Sequence, residues 1–280
     1  MTFQLIDISI PLENDVPADP PQQKVSITYH GHRETVDVIR SYFPGLEAHH
    51  LPDSQGWAVE TVHISTHNGT HVDAPWHYHP TMDNGSPAAT IDDIPLAWFY
   101  QPGVRLDFRH LPDGYIVQPD DIDTELRRIG HQLRPFEIVL ANTRAGSRYG
   151  EADYIHSGCG FGRAATLHLV HQGIRVVGTD GWSWDAPFSF TAKRFAETGD
   201  ASLIWEGHKA GRDAGYCQIE KLHNLEMLPP LGFLVSCFPV KIRGASAGWT
   251  RAVAIINDQP SPSPAARDWR HRTDAAGPSE

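Results

Sequence analysis

The chain predicts an α/β protein with a mixed β-sheet core and flanking helices. Short runs rich in β-branched and apolar residues outnumber helical ones, the two kinds alternate, and Gly or Pro punctuates them. Alternation of this kind packs helices against a sheet. In chain order, Pro17 to Pro21 reads as a loop. Trp57-Ala58-Val59-Glu60-Thr61-Val62-His63-Ile64-Ser65 is rich in β-branched residues and reads as a strand running into a cluster of histidines. Pro80 to Pro87 is a second loop. Asp120 to Ile129 begins with acidic residues and ends with basic ones before Gly130, the polarity of a short helix. Gly162 to Gln172 is a second helix, closed by Gly173 and followed by the strand Ile174 to Val177. The glycines between Gly158 and Gly162 lack the Lys-Ser/Thr and the preceding strand of a phosphate loop.

A chain of 280 residues buries a full core, and its motifs run along most of its length. One catalytic domain over 1–257 is expected, followed by a polar tail over 258–280, flexible or acting as a subunit arm. The formal charge is -11, from 23 Lys plus Arg against 34 Asp plus Glu, with no basic run. That balance argues against nucleic acid and acidic membrane surfaces as partners. The N-terminus carries no basic region followed by an apolar stretch, and no segment is long and apolar enough to span a bilayer, so a soluble cytoplasmic protein is expected. Cys159, Cys217 and Cys237 are odd in number and far apart, and read as buried reduced thiols.

The chemistry concentrates in His67-Asn68-Gly69-Thr70-His71-Val72-Asp73-Ala74-Pro75-Trp76-His77, with three imidazoles and one carboxylate in eleven residues. Neutral imidazole and carboxylate suit zinc, manganese or iron, and without thiolates the set fits an open catalytic site better than a closed structural one. Gly69 and Pro75 make a continuous helix costly, so a strand end is expected. In extended chain His71 and Asp73 point the same way. Gly69 then lets the backbone bend to bring His67 round, and Pro75 redirects it so that His77 returns to the same cavity. His63 and His79 are weaker candidates. His30, His110, His131, His168 and His171 read as surface or supporting groups.

The run H-x-G-T-H-x-D-x-P-x-H resembles the signature of the metal-dependent cyclase family of hydrolases, which includes bacterial kynurenine formamidase and isatin hydrolase. The resemblance extends from Ile6–Leu12, similar to the family's opening strand, through Val104–Asp107, Glu137–Leu140 and Ile174–Asp180 with Ser183 and Asp185. It closes at Phe238–Ile242 and Arg251–Ala254, which resemble the family's last strands. It implies the cyclase-family, swivelling β/β/α-like fold. It also implies that His67, His71 and Asp73 hold a first metal, with Asp73 able to bridge to a second, and that His77 is the catalytic acid/base. The family's second metal takes a His and a Glu twelve residues apart, and His208 and Glu220 stand at that spacing. A full negative charge at Glu220 offsets repulsion between two cations better than a neutral amide would, so two zinc or manganese ions per chain are expected. A homodimer or higher homo-oligomer is implied by relatives alone. The chain is longer than the compact formamidases between Asp185 and His208 and from about Pro20 to Asp53, and it carries two Trp in Gly181–Phe188 where smaller residues are usual.

Trp76, Trp182, Trp184 and Phe188, and Phe190 on the same footing as Phe188, are expected to line a pocket for an aromatic or planar small molecule. A divalent metal lowers the pKa of bound water from about 16 to roughly 7 and polarises a carbonyl, so the site favours hydrolysis. His77 then accepts the water proton and delivers it to the departing atom. An iron oxygenase would need neither His77 nor the distal His-Glu pair. The expectation is hydrolysis of a small amide, aryl formamide or cyclic amide. A lactone or other ester is the nearest alternative. A noncatalytic metal or ligand binder is disfavoured because it needs no proton shuttle.

Overall fold

The computed structural model describes residues 3–257, so the expected tail over 258–280 lies outside the described residues. Nine strands build the main sheet: β1 (Phe3–Asp7), β2 (His71–Asp73), β3 (Tyr100–Asp107), β4 (Ile138–Asn142), β5 (Val176–Thr179), β6 (Cys217–Glu220), β7 (Phe233–Ser236), β8 (Ala247–Trp249) and β9 (Val253–Asn257). Their order across the sheet is β1-β9-β7-β3-β4-β5-β6-β2-β8. The central strands β3, β4, β5 and β6 run parallel, and the flanking pairs are antiparallel. The expected mixed α/β sheet is therefore observed.

Parallel strands are covered on both faces, which is why β4 reads as an unbroken apolar run. Ile138 and Leu140 enter one core and Val139 and Ala141 the other, as the period of two requires. The second core is roofed by helices α3 (Pro119–Ile129), α4 (Arg163–His171) and α6 (Glu206–Asp213), through Ile122, Leu126, Leu169 and Ala210. The first core holds Val72 from one end of the sheet together with Ile6, Val235 and Ala254 from the other. The sheet thus curls, and a bridge between Ser9 and Leu222 joins the continuations of β1 and β6.

Both expected helices form. Pro119 opens α3, Asp121 accepts the Gln118 N–H at 2.8 Å, and Gly130 ends the helix at φ 67°. Other expectations need correction. Trp57–Ser65 was expected to lead as a strand into the site, but only Val59–His63 is extended. It pairs with Ser26–His30 in a separate ribbon that also flanks helix α1 (Val36–Tyr42). Phe238–Ile242 is irregular: Pro239 lacks the N–H that a ladder needs, and the closing strand β7 ends just before it. The added segment after Asp185, whose structure the sequence left open, folds into helix α5 (Phe188–Thr198).

Candidate metal and active site

Strand β2 lies between β6 and β8, and this register assembles the site. His71 sits opposite Glu220 and Asp73 opposite Gln218, so residues far apart in sequence become cross-strand neighbours. His71 and Asp73 are both buried on the same side of the strand. Before them, Gly69 adopts φ 62°, a backbone conformation that favours glycine, and a Cβ there would also push the tip of Leu12 aside, with Cδ2 at 2.6 Å. That bend brings His67 Nδ1 to 2.9 Å from Asp73 Oδ1. Thr70 locks the turn: its hydroxyl donates to the Lys221 carbonyl at 2.6 Å and accepts the Ile10 N–H at 2.9 Å. After Asp73, Pro75 opens the short helix α2 (Pro75–Tyr78), which returns His77 so that its ring centroid lies 4.0 Å from that of His67.

His208 arrives on α6, with its Nε2 3.5 Å from Glu220 Oε1 and 3.9 Å from Asp73 Oδ2. Its Nδ1 donates to the Asp185 carboxylate, which also accepts the backbone N–H groups of Gly207 at 2.9 Å and His208 at 3.1 Å. Asp185 thereby fixes the tautomer and aims the Nε2 lone pair at the carboxylates. The Gly69 carbonyl does the same for His71, accepting from Nδ1 at 2.9 Å. Asp185 carries no assigned role in the sequence, where it enters only beside Ser183 in the family resemblance.

The donor atoms fit a divalent cation. His71 Nε2 and both Asp73 oxygens are buried and make no hydrogen bond, a costly state for polar atoms unless something else binds them. Two sets of ligand atoms each converge within 4.8 Å: His71, Asp73 and Glu220, and His67, Asp73 and His77. Asp73 belongs to both. The grouping differs from the expected one, in which His67 and His71 shared an ion and His77 stood apart.

Charge balance inside the cluster is close. Burial opposes ionisation of Asp73, but the imidazoles of His71, His77 and His67 outweigh it and hold the carboxyl well below its usual range. Burial, and then Asp73 itself, raise Glu220. Burial lowers His71 and His208, yet the adjacent carboxylates win and both imidazoles are raised. His77 behaves oppositely. Burial, despite Asp73 and with three further histidines nearby, brings it down to about 3. Its ring makes no hydrogen bond among the described residues and opens onto a cavity.

That cavity, of about 580 Å³, is lined by His67, His77, His208 and Glu220 together with the apolar Trp182, Phe188, Phe195, Ile204 and Trp205. Trp182 and Phe188 are among its lining residues. Trp184 is not: it is fully buried, stacked on Phe161 at 3.9 Å, with its indole N–H donated to Thr166. Trp76 is 45% exposed and does not line the cavity. Adjacent residues need not share a direction: Trp76 precedes His77 by one position on helix α2 and is turned away from it. Trp205, Phe195 and Ile204 lie in the added segment and went unread. No helix among the described residues is long and apolar enough to cross a membrane.

Comparison with known proteins agrees with this geometry. A kynurenine formamidase from Salinibacter ruber is 29% identical over 222 residues, spanning 75% of this chain and 84% of that protein. Among solved structures, an isatin hydrolase bound to the product analogue thioisatinate superposes with a TM-score of 0.70 at 20% identity, covering 91% of this chain and 93% of the other. Isatin hydrolase A from Labrenzia aggregata, bound to benzyl benzoate, gives 0.69 at 23% identity, covering 91% and 94%. These structural likenesses establish the fold. The family model described as "Putative cyclase" matches residues 6–186, more than half of the sequence, and the chain belongs to that cyclase family.

Proposed function

We propose that the protein is a metal-dependent hydrolase of small amides, aryl formamides or cyclic amides, acting through one catalytic domain over 1–257. The observation that carries this reading is the set of buried donor atoms on His71 and Asp73 that make no hydrogen bond and converge with Glu220, His67 and His77, three residues that line an aromatic cavity. The residues that would hold divalent metal in this reading are His67, His71, Asp73, His208 and Glu220, and because Asp73 belongs to both convergent sets two ions, zinc or manganese, would be accommodated. A divalent ion supplies Lewis acidity and lowers the pKa of water bound to it. The chain supplies the rest. Aromatic walls orient a planar substrate and exclude water, and His77, neutral at physiological pH, takes a proton on a free ring nitrogen and returns it to the departing nitrogen. Trp205 packs edge-on against the His77 ring at 5.2 Å and limits its swing. The relatives named above are a formamidase and isatin hydrolases, which supports C–N hydrolysis as the reaction class. A homodimer in the cytoplasm completes the proposal.

The test is a panel of N-formyl aromatics, isatin-like cyclic amides and lactones, assayed with protein stripped by chelator and then reloaded with zinc or manganese. Hydrolysis that disappears on stripping and returns on reloading is expected for the amides. Turnover indifferent to metal would refute the reading.

A further inference from the structure

We propose that Asp19 sets the charge selectivity of the cavity by neutralising Lys221, so that the site takes neutral, flat aromatic amides and rejects those carrying a carboxylate away from the reacting carbonyl. The proposal rests on the amide-hydrolase reading for its substrate chemistry. Lys221 follows Glu220 in sequence, adopts φ 57°, and is the only Lys or Arg among the described residues that line the cavity. It is 1% exposed. An ammonium in that place would ordinarily attract a carboxylate. Here its Nζ is ion-paired to Asp19 and donates to the His67 carbonyl at 2.9 Å. Asp19 reaches in from the Pro17 to Pro21 loop and is itself held: Oδ1 accepts the Trp182 indole N–H at 3.2 Å and Oδ2 accepts the Asn68 side-chain amide at 2.8 Å. The cation is therefore committed, and a carboxylate entering beside it would lose water without gaining a partner.

The lining that helix α5 contributes is mostly apolar. Helix α5 has no buried residue, and Phe188, Thr191, Ala192 and Phe195 fall on one face at helical spacing, all lining the cavity. Phe190, on another face, is seated where a Cβ on Gly114 would lie, which fixes the helix over the site. Trp182 meets Phe188 edge-on at 5.2 Å. A flat ring supplies the partner that this face otherwise lacks. Adding water to a neutral amide breaks the C–N bond, forms a C–O bond and sends a proton to the leaving nitrogen. The product acid ionises near neutral pH, and a cavity wall with no uncommitted cation does not retain it.

The test compares 4-formamidobenzamide with the anionic 4-formamidobenzoate on metal-loaded protein, by calorimetric Kd and by kcat/KM. Wild type should prefer the neutral probe. Asp19→Asn should shift the ratio by about tenfold towards the carboxylate, the scale of one freed charge partner. Any affinity of the carboxylate for metal is common to both proteins and cancels in that shift. Asp19→Asn combined with Lys221→Met removes the pair as a unit and should restore the wild-type preference, which also serves if the single variant does not fold. An unchanged ratio in Asp19→Asn, loss of the preference in the double variant, or binding of neither probe overturns the proposal. The predicted shift in Kd with no turnover of either probe leaves it standing and removes the hydrolase reading instead.

Discussion

His77 and Asp185 illustrate how identical-looking polar residues divide their work. His77 is half-buried among imidazoles, makes no fixed hydrogen bond and is brought down to about 3, so at neutral pH it has a free lone pair facing the cavity. His77→Ala should keep its metal and lose about two to four orders of magnitude in turnover, the usual range for a general acid/base. Metal analysis beside steady-state kinetics separates the roles. Because His67, Asp73 and His77 also converge as a ligand set, metal lost in step with activity would make His77 a ligand. Asp185 acts through His208, whose Nδ1–H it holds. Asp185→Asn should therefore weaken metal binding by about 10- to 100-fold while leaving residual activity at saturating metal. Titration with a competing chelator measures this, and unaltered affinity would remove Asp185 from the positioning role.

At the level of elements, the register between β2 and β6 decides whether there are one or two ions. Glu220 stands opposite His71, with its Oε2 3.6 Å from His71 Nε2 and its Oε1 towards His208. Replacing its charge with an amide should lower the metal content of Glu220→Gln from two per chain towards one, read by elemental mass spectrometry. Retention of two ions would place the second elsewhere. The strand end at His71–Asp73, the bend at Gly69 and the turn at Pro75 were legible because glycine and proline leave few conformations open. The partnership with His208 and Glu220 was visible only through family resemblance, since cross-strand register over such a separation leaves no local mark. Helix α6 was hidden for a related reason. Its glycines lower intrinsic propensity, yet Gly207 is required where a Cβ would meet the Phe161 carbonyl at 2.3 Å, and Gly211 where it would meet the Tyr78 ring at 2.2 Å. Trp76 and Trp184 were misplaced because nearness in sequence does not say which face a side chain takes.

Across the whole molecule, the curled sheet gathers carboxylates and imidazoles that compensate one another until a metal replaces their protons. His71 and His208 are raised above the ordinary imidazole value of 6.5 by neighbouring carboxylates, against burial. In the metal-free protein their contribution to stability is fully present below that value and is lost as pH rises through the raised one. Metal uptake runs the other way, since the ligands must give up protons to bind. Apparent metal affinity should thus fall between about pH 8 and about pH 6, and titration calorimetry in buffers of different ionisation enthalpy should show net proton release. Affinity independent of pH would contradict that balance.

The most direct test of the site as a metal-dependent hydrolytic centre is the metal content of Asp73→Ala, measured by mass spectrometry beside hydrolysis of an aryl formamide. Asp73 is shared by both ligand sets, so its removal cannot be compensated locally. The expected result is loss of bound metal and of hydrolysis together in a protein that still folds, and wild-type metal content in that variant would contradict the account.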